Sequence, residues 1–88
     1  MEHYLKCWPQ YLSEIQSGRK TFEVRNASDR IFQAGDQLTL QAWCPEKCQY
    51  LGYDPYTVDV LAVYHNLPGI QPDHVVMSIR PAQRTIHE

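Results

Sequence analysis

The sequence predicts a small α+β fold: a five-stranded curled sheet or pseudo-barrel with one N-terminal helix. Three observations carry this. Only one stretch, Pro9 to Ser17, has helical spacing together with a start and a stop signal. Five other stretches read as strands, three by alternation of apolar and polar residues and two, Thr57 to His65 and His74 to Ile79, as largely apolar runs. The connections between those strands are rich in Pro, Gly, Asn and Asp rather than helical, and closing the sheet on itself hides its edges. At 88 residues the chain makes one domain, with its body over residues 1–80 and a C-terminal tail over 81–88.

The first strand runs from His3 to Trp8, with Tyr4 and Lys6 facing opposite to Leu5 and Cys7. Pro9 suits the first helical turn, and Tyr11, Leu12 and Ile15 give the helix one apolar face. Gly18 stops it, because a left-handed residue after a helix is cheap only for glycine. The second strand spans Thr21 to Ala27, and a polar turn follows at Asn26 to Asp29. Ala34-Gly35-Asp36 turns the chain into a third strand, Gln37 to Trp43, with Leu38, Leu40 and Ala42 inward. Cys44 to Tyr56 reads as loop. The fourth strand, Thr57 to His65, sets Val58, Val60, Ala62 and Tyr64 on one face and Leu61 and Val63 on the other, which predicts cover on both sides. A Pro- and Gly-bearing loop leads to a last strand, His74 to Ile79, ended by Pro81, and Arg84 to Glu88 is expected to fray.

Composition narrows the function. A formal net charge of −2 argues against a protein that binds nucleic acid chiefly through phosphate neutralisation. Four of the eight Lys and Arg residues nevertheless fall between Arg19 and Arg30. No apolar run is long enough to span a bilayer, and the opening residues lack the features of a signal peptide, so a cytoplasmic protein without a membrane partner is expected. Three cysteines fit a reducing compartment better than a disulfide framework. Cys44 and Cys48 have the spacing of half a zinc site, but no second half is in view. No metal and no other cofactor is expected.

The chemistry concentrates in Gly18-Arg19-Lys20-Thr21-Phe22-Glu23-Val24-Arg25. Strand alternation places Thr21, Glu23 and Arg25 on one face, and Phe22 and Val24 on the other, where they are expected to enter the core. Lys20 sits at the turn, able to lean over the polar face. A hydroxyl, a carboxylate, an ammonium and a guanidinium on a rigid element make a plausible reaction site. The plainer alternative is a solvated strand face carrying an ion pair worth under about 1 kcal/mol.

This block resembles the signature of the ASCH domains, a branch of the PUA-like superfamily. Phe32, Gly35-Asp36 and Leu38-Thr39-Leu40 resemble a second landmark of that group, and Leu5-Lys6-Cys7-Trp8-Pro9 and Val75-Val76-Met77-Ser78-Ile79 its short phage and bacterial members. The resemblance covers residues 3–80. It implies a PUA-like β-barrel with a pocket floored by the first motif. It also implies one of two functions: an RNA-binding module, or a small amidohydrolase that removes acyl groups from N4-acylated cytidine. In those hydrolases the motif lysine, which matches Lys20, is catalytic. The residue three positions on is a threonine in them and Glu23 here, and their late helical insertion with its glutamate has no counterpart in this chain.

Amide hydrolysis needs a nucleophile, a proton shuttle and a group to stabilise the oxyanion. Lys20 and Glu23 are the candidates for the shuttle. The nucleophile is either water activated by Glu23 or Thr21 with Lys20 as its base. Arg25 is the candidate for holding a carbonyl or phosphate. Trp43 and the Tyr-rich loop after it are candidates for stacking on a base, with Tyr64 and His65 beside them and His65 as a second proton carrier. The expected partner is a nucleoside or nucleobase, with only weak binding of RNA.

Overall fold

The computed structural model describes residues 1–82. The elements, in chain order, are β1 (Glu2–Cys7), α1 (Pro9–Gln16), β2 (Phe22–Asn26), β3 (Gln37–Cys44), β4 (Gln49–Tyr50), β5 (Tyr56–His65) and β6 (His74–Pro81). The strands form one six-stranded mixed sheet in the order β1-β3-β5-β6-β2, with β4 attached to β3. Among the described residues only β1 and β3 run parallel, and α1 begins the crossover between them. The expected frayed tail, Arg84 to Glu88, lies outside the described residues.

Alternation builds most of the core. His3, Leu5 and Cys7 of β1 point inward while Glu2, Tyr4 and Lys6 point out. Leu38, Leu40 and Ala42 of β3 are buried as expected, and Leu12 and Ile15 of α1 close over them. The Trp8 carbonyl accepts the first helical N–H groups, Pro9 occupies the first turn, and Gly18 takes a φ of +83° where the helix ends. Phe32, at 4% exposure, fills the core from the loop before β3.

Four expectations are corrected. The loop Cys44 to Tyr56 contains the short strand β4, so the sheet has six strands rather than five. The last strand continues through Pro81. Ile79 donates its N–H to Thr21, and Ala82 to Thr57 on the opposite side, so alternation turns the Pro81 nitrogen toward the β2 side. The β2 pairing has already ended at Phe22 opposite Ser78, so no ladder bond is missed there. In β5 a register shift between Val60 and Ala62 flips the alternation. Val58 and Val60 stay inside, Val63 replaces Ala62 as the next inward residue, and Tyr64 and Leu61 are exposed, so this strand is not covered on both sides.

The fourth correction concerns β2, which is turned inside out relative to its hydropathy. Glu23 lies opposite Met77 and is 4% exposed, whereas Phe22 and Val24 are 46% and 41% exposed. An isolated carboxylate in such a place would cost several kcal/mol, and the strand tolerates it because every oxygen is paired. The strand also begins at Phe22, one residue after Thr21.

Candidate functional site

β1 and β2 are the two ends of the sheet, and neither pairs with the other. The ladder of β2 has Thr21 accepting from Ile79 and Ala27 donating to Asp73, so the intervening backbone groups of Phe22 and Val24 turn away from β6. The register of β1 likewise turns the Lys6 carbonyl away from β3. Between these two edges, under the N-terminal turn of α1, is a cleft of about 440 Å³.

Three charged side chains hold the cleft together. Lys20 Nζ donates to Glu23 Oε1 at 2.6 Å and to the Phe22 carbonyl at 2.8 Å. Arg25 Nε donates to Glu23 Oε2 at 2.8 Å. Arg25 Nη2 reaches across the gap to the Lys6 carbonyl at 2.9 Å, which joins the two sheet edges by a side chain where no ladder exists. These contacts also occupy edge acceptors that would otherwise invite another strand. Gly18 matters here because the turn it permits brings Lys20 back over β2, with the Arg19 and Lys20 amides bound to the Glu14 carbonyl.

The walls are apolar and aromatic. Trp8 and Tyr11 stack with ring centroids 5.6 Å apart and planes 14° from parallel. Phe22 and Val24 form the opposite lip. The Lys20 ammonium lies 4.8 Å from the Phe22 ring centroid. Cys7 lines the floor at 3% exposure. Burial, and after it the Glu23 carboxylate, push its thiol above the ordinary value, and Arg25 and Lys20 do not offset this. Cys7 is therefore a neutral thiol, without the thiolate a nucleophile needs.

A family model described as a domain of unknown function, DUF3850, matches residues 2–79. The chain belongs to that family. The DUF3850 match takes in every residue of the cleft, from Lys6 to Arg25. No curated protein matches the chain. The solved structure of hypothetical protein PH0355 is similar, with a TM-score of 0.65 over 93% of this chain and 100% of that one. At 16% identity the likeness is one of fold.

Of the residues expected to act together, this DUF3850 domain gathers Lys20, Glu23 and Arg25. Thr21 stands apart: it is exposed and lines a different depression with Ile79 and Pro81. Trp43 touches the cleft only through Lys6, whose ammonium sits 3.9 Å over the indole, while its own ring packs edge-on against Tyr50. Tyr64 and His65 lie on β5, two strands from β2, opposite Val76 and Val75. Cys44 and Cys48 flank the turn between β3 and β4, where Cys48 has a φ of +52°. Among the described residues, no three His, Cys, Asp or Glu side chains cluster as a metal set would.

Sequence reasoning missed the Trp8–Tyr11 wall, Cys7, and the lip made by Phe22 and Val24. The i,i+3 spacing of Trp8 and Tyr11 was the available signal. It also missed a second buried carboxylate. Asp36, at 4% exposure, accepts from the Gln33 N–H at 2.9 Å and lies 2.9 Å from His3 Nε2. Burial alone would raise the Asp36 carboxyl, but the His3 contact, the Gln33 N–H and the amino group of Met1 outweigh it and hold the group below its ordinary value.

Proposed function

We propose that this domain is PUA-like, of the ASCH type, and is a small amidohydrolase that deacylates N4-acylated cytidine or a related acylated nucleobase without a metal. One observation carries the reading: a buried carboxylate, Glu23, is held by Lys20 and Arg25 on the floor of a cleft walled by stacked rings. Trp8 and Tyr11 offer a flat partner for a base. Water adds to the acyl carbon with Glu23 accepting its proton. The bond from that carbon to N4 then breaks, and the proton passes to N4, which leaves as the amine of cytidine. Lys20 and Arg25 stabilise the oxyanion. Thr21 is given no role in this reading, because it is not among the residues that line the cleft.

A second reading, a non-catalytic RNA-binding module, is favoured by the same Glu23 seen differently. Both of its oxygens are engaged by cations, as in a structural clamp. The deciding experiment incubates the protein with N4-acetylcytidine in excess chelator and follows cytidine release by absorbance, with binding of a labelled single-stranded RNA measured in parallel at two salt concentrations. Turnover with weak RNA binding is expected. Tight, salt-sensitive RNA binding without turnover across several acyl groups would establish the module instead.

A further inference from the structure

Arg25 is a wall of two cavities. On one side is the cleft just described. On the other is a second depression of about 400 Å³, lined by Leu5, Arg25, Asn26, Ser28, Asp29, Arg30 and Phe32. The two differ in character. The first is mostly apolar and aromatic, with its charges on the floor. The second is lined by a polar turn, in which Asn26 Oδ1 accepts from both the N–H and the hydroxyl of Ser28.

The cations around Arg25 are not all used. Glu23 takes Arg25 Nε, and the Lys6 carbonyl takes Nη2, which leaves Nη1 without a protein acceptor among the described residues. Arg30 meets Asp29 only loosely, at 3.8 Å with both side chains exposed. Lys6 has no carboxylate partner among the described residues and rests on Trp43. The first cleft holds three cations, Lys6, Lys20 and Arg25, against one carboxylate, in a chain whose formal net charge is −2. The second depression holds two cations, Arg25 and Arg30, against one carboxylate, Asp29, so both cavities keep a positive excess although the chain as a whole is acidic. Such an arrangement suits a ligand with a flat apolar end and an anionic end, the anion bound through a guanidinium fork.

We infer that the second depression is a phosphate subsite, and that the ligand of this protein is a nucleoside monophosphate whose base lies in the first cleft and whose phosphate passes Arg25 to reach Arg30. This rests on the nucleobase reading of the first cleft. It adds the charge state of the ligand, and it concerns binding rather than turnover.

Calorimetry with the full chain at low and moderate salt would compare cytidine, cytidine 5′-monophosphate and inorganic phosphate. The monophosphate is expected to bind at least about tenfold more tightly than cytidine, and the advantage to shrink as salt rises. Arg30→Ala and Arg30→Gln are expected to erase the difference between the two ligands. Arg80→Ala, a loss of the same charge beside a different depression, is expected to keep it. Equal affinity of the two ligands in the wild type, or an advantage that survives in both Arg30 variants, overturns the subsite. A monophosphate preference dependent on Arg30, found in a protein that turns over no acylated cytidine, would retain the subsite and dismiss the hydrolase.

Discussion

The domain buries two carboxylates to the same degree, Glu23 and Asp36, and the contrast between them separates a site from a staple. Asp36 is enclosed. Its partners are a histidine ring, itself 5% exposed and tilted against Phe32 at 4.6 Å, a backbone N–H, and the Met1 amino group. These contacts pin the start of β1 to the turn before β3. Glu23 is buried as deeply, but its partners are two long cations, and those cations face an open cleft between unpaired strand edges. Burial and full hydrogen bonding alone say only that a charge is tolerated. The addition of a cavity, stacked rings and an unused guanidinium nitrogen makes Glu23 the candidate for chemistry and leaves Asp36 to structure.

The strongest way to break this comparison is to remove the cleft charges. If Glu23 and Lys20 do chemistry, Lys20→Ala and Glu23→Ala each lower turnover of N4-acetylcytidine by at least about 10²-fold, the scale of losing one proton-transfer or oxyanion group. The fold should persist, because the cations left behind by Glu23→Ala can reach water through the cleft. A near-normal rate in either variant, with an unchanged circular dichroism spectrum, removes that residue from the mechanism and makes Glu23 a second Asp36.

Asp36→Ala should act in the opposite sense. It leaves the buried His3 imidazole and the Gln33 N–H without their acceptor, and the expected cost is about 3 kcal/mol of stability in urea unfolding. The pH dependence has a definite sign. The Asp36 carboxyl is held below its ordinary value in the folded state. The unfolded chain therefore takes up the proton first as pH falls. The stabilisation is complete above the unfolded value of about 4 and is lost progressively below it. The stability gap between the wild type and Asp36→Asn should accordingly narrow as the pH drops from 5 toward 2. A gap that stays constant would show that the charge of Asp36 contributes nothing.

The architecture was largely legible because hydropathy period and turn chemistry agree over α1, β1 and β3. Gly18 ends the helix, and Leu38, Leu40 and Ala42 enter the core as alternation requires. The failures have physical causes. In β5 a single irregularity after Val60 reverses which residues face inward, and no residue type there announces it. In β2 the alternation was seen but its faces were assigned by hydropathy, and the charged face turned out to be the inner one. Lys20, Glu23 and Arg25, read together from one short stretch, do meet in space, while Thr21 from the same stretch does not join them. Trp43, Tyr64 and His65 were grouped by chemical type, and the sheet order separates them from β2.

The smallest expected effect tests that inversion directly. Val24 and Val58 are the same residue type on strands of the same sheet, but Val58 is fully buried and Val24 is 41% exposed at the cleft lip. Truncating a side chain in a packed interior loses its transfer free energy and leaves a cavity, whereas at an exposed edge water fills the space. Val58→Ala should cost about 2 kcal/mol in urea unfolding, and Val24→Ala less than about 1 kcal/mol. The order of the two matters more than their sizes. If Val24→Ala costs as much as Val58→Ala, Val24 is a core residue, β2 presents Glu23 outward, and the Lys20–Glu23–Arg25 array becomes a solvated strand face. If the cost is small while cytidine binding weakens, Val24 is the lip of a ligand cleft. The apolar residues of β2 then serve the ligand, and its charges complete the interior.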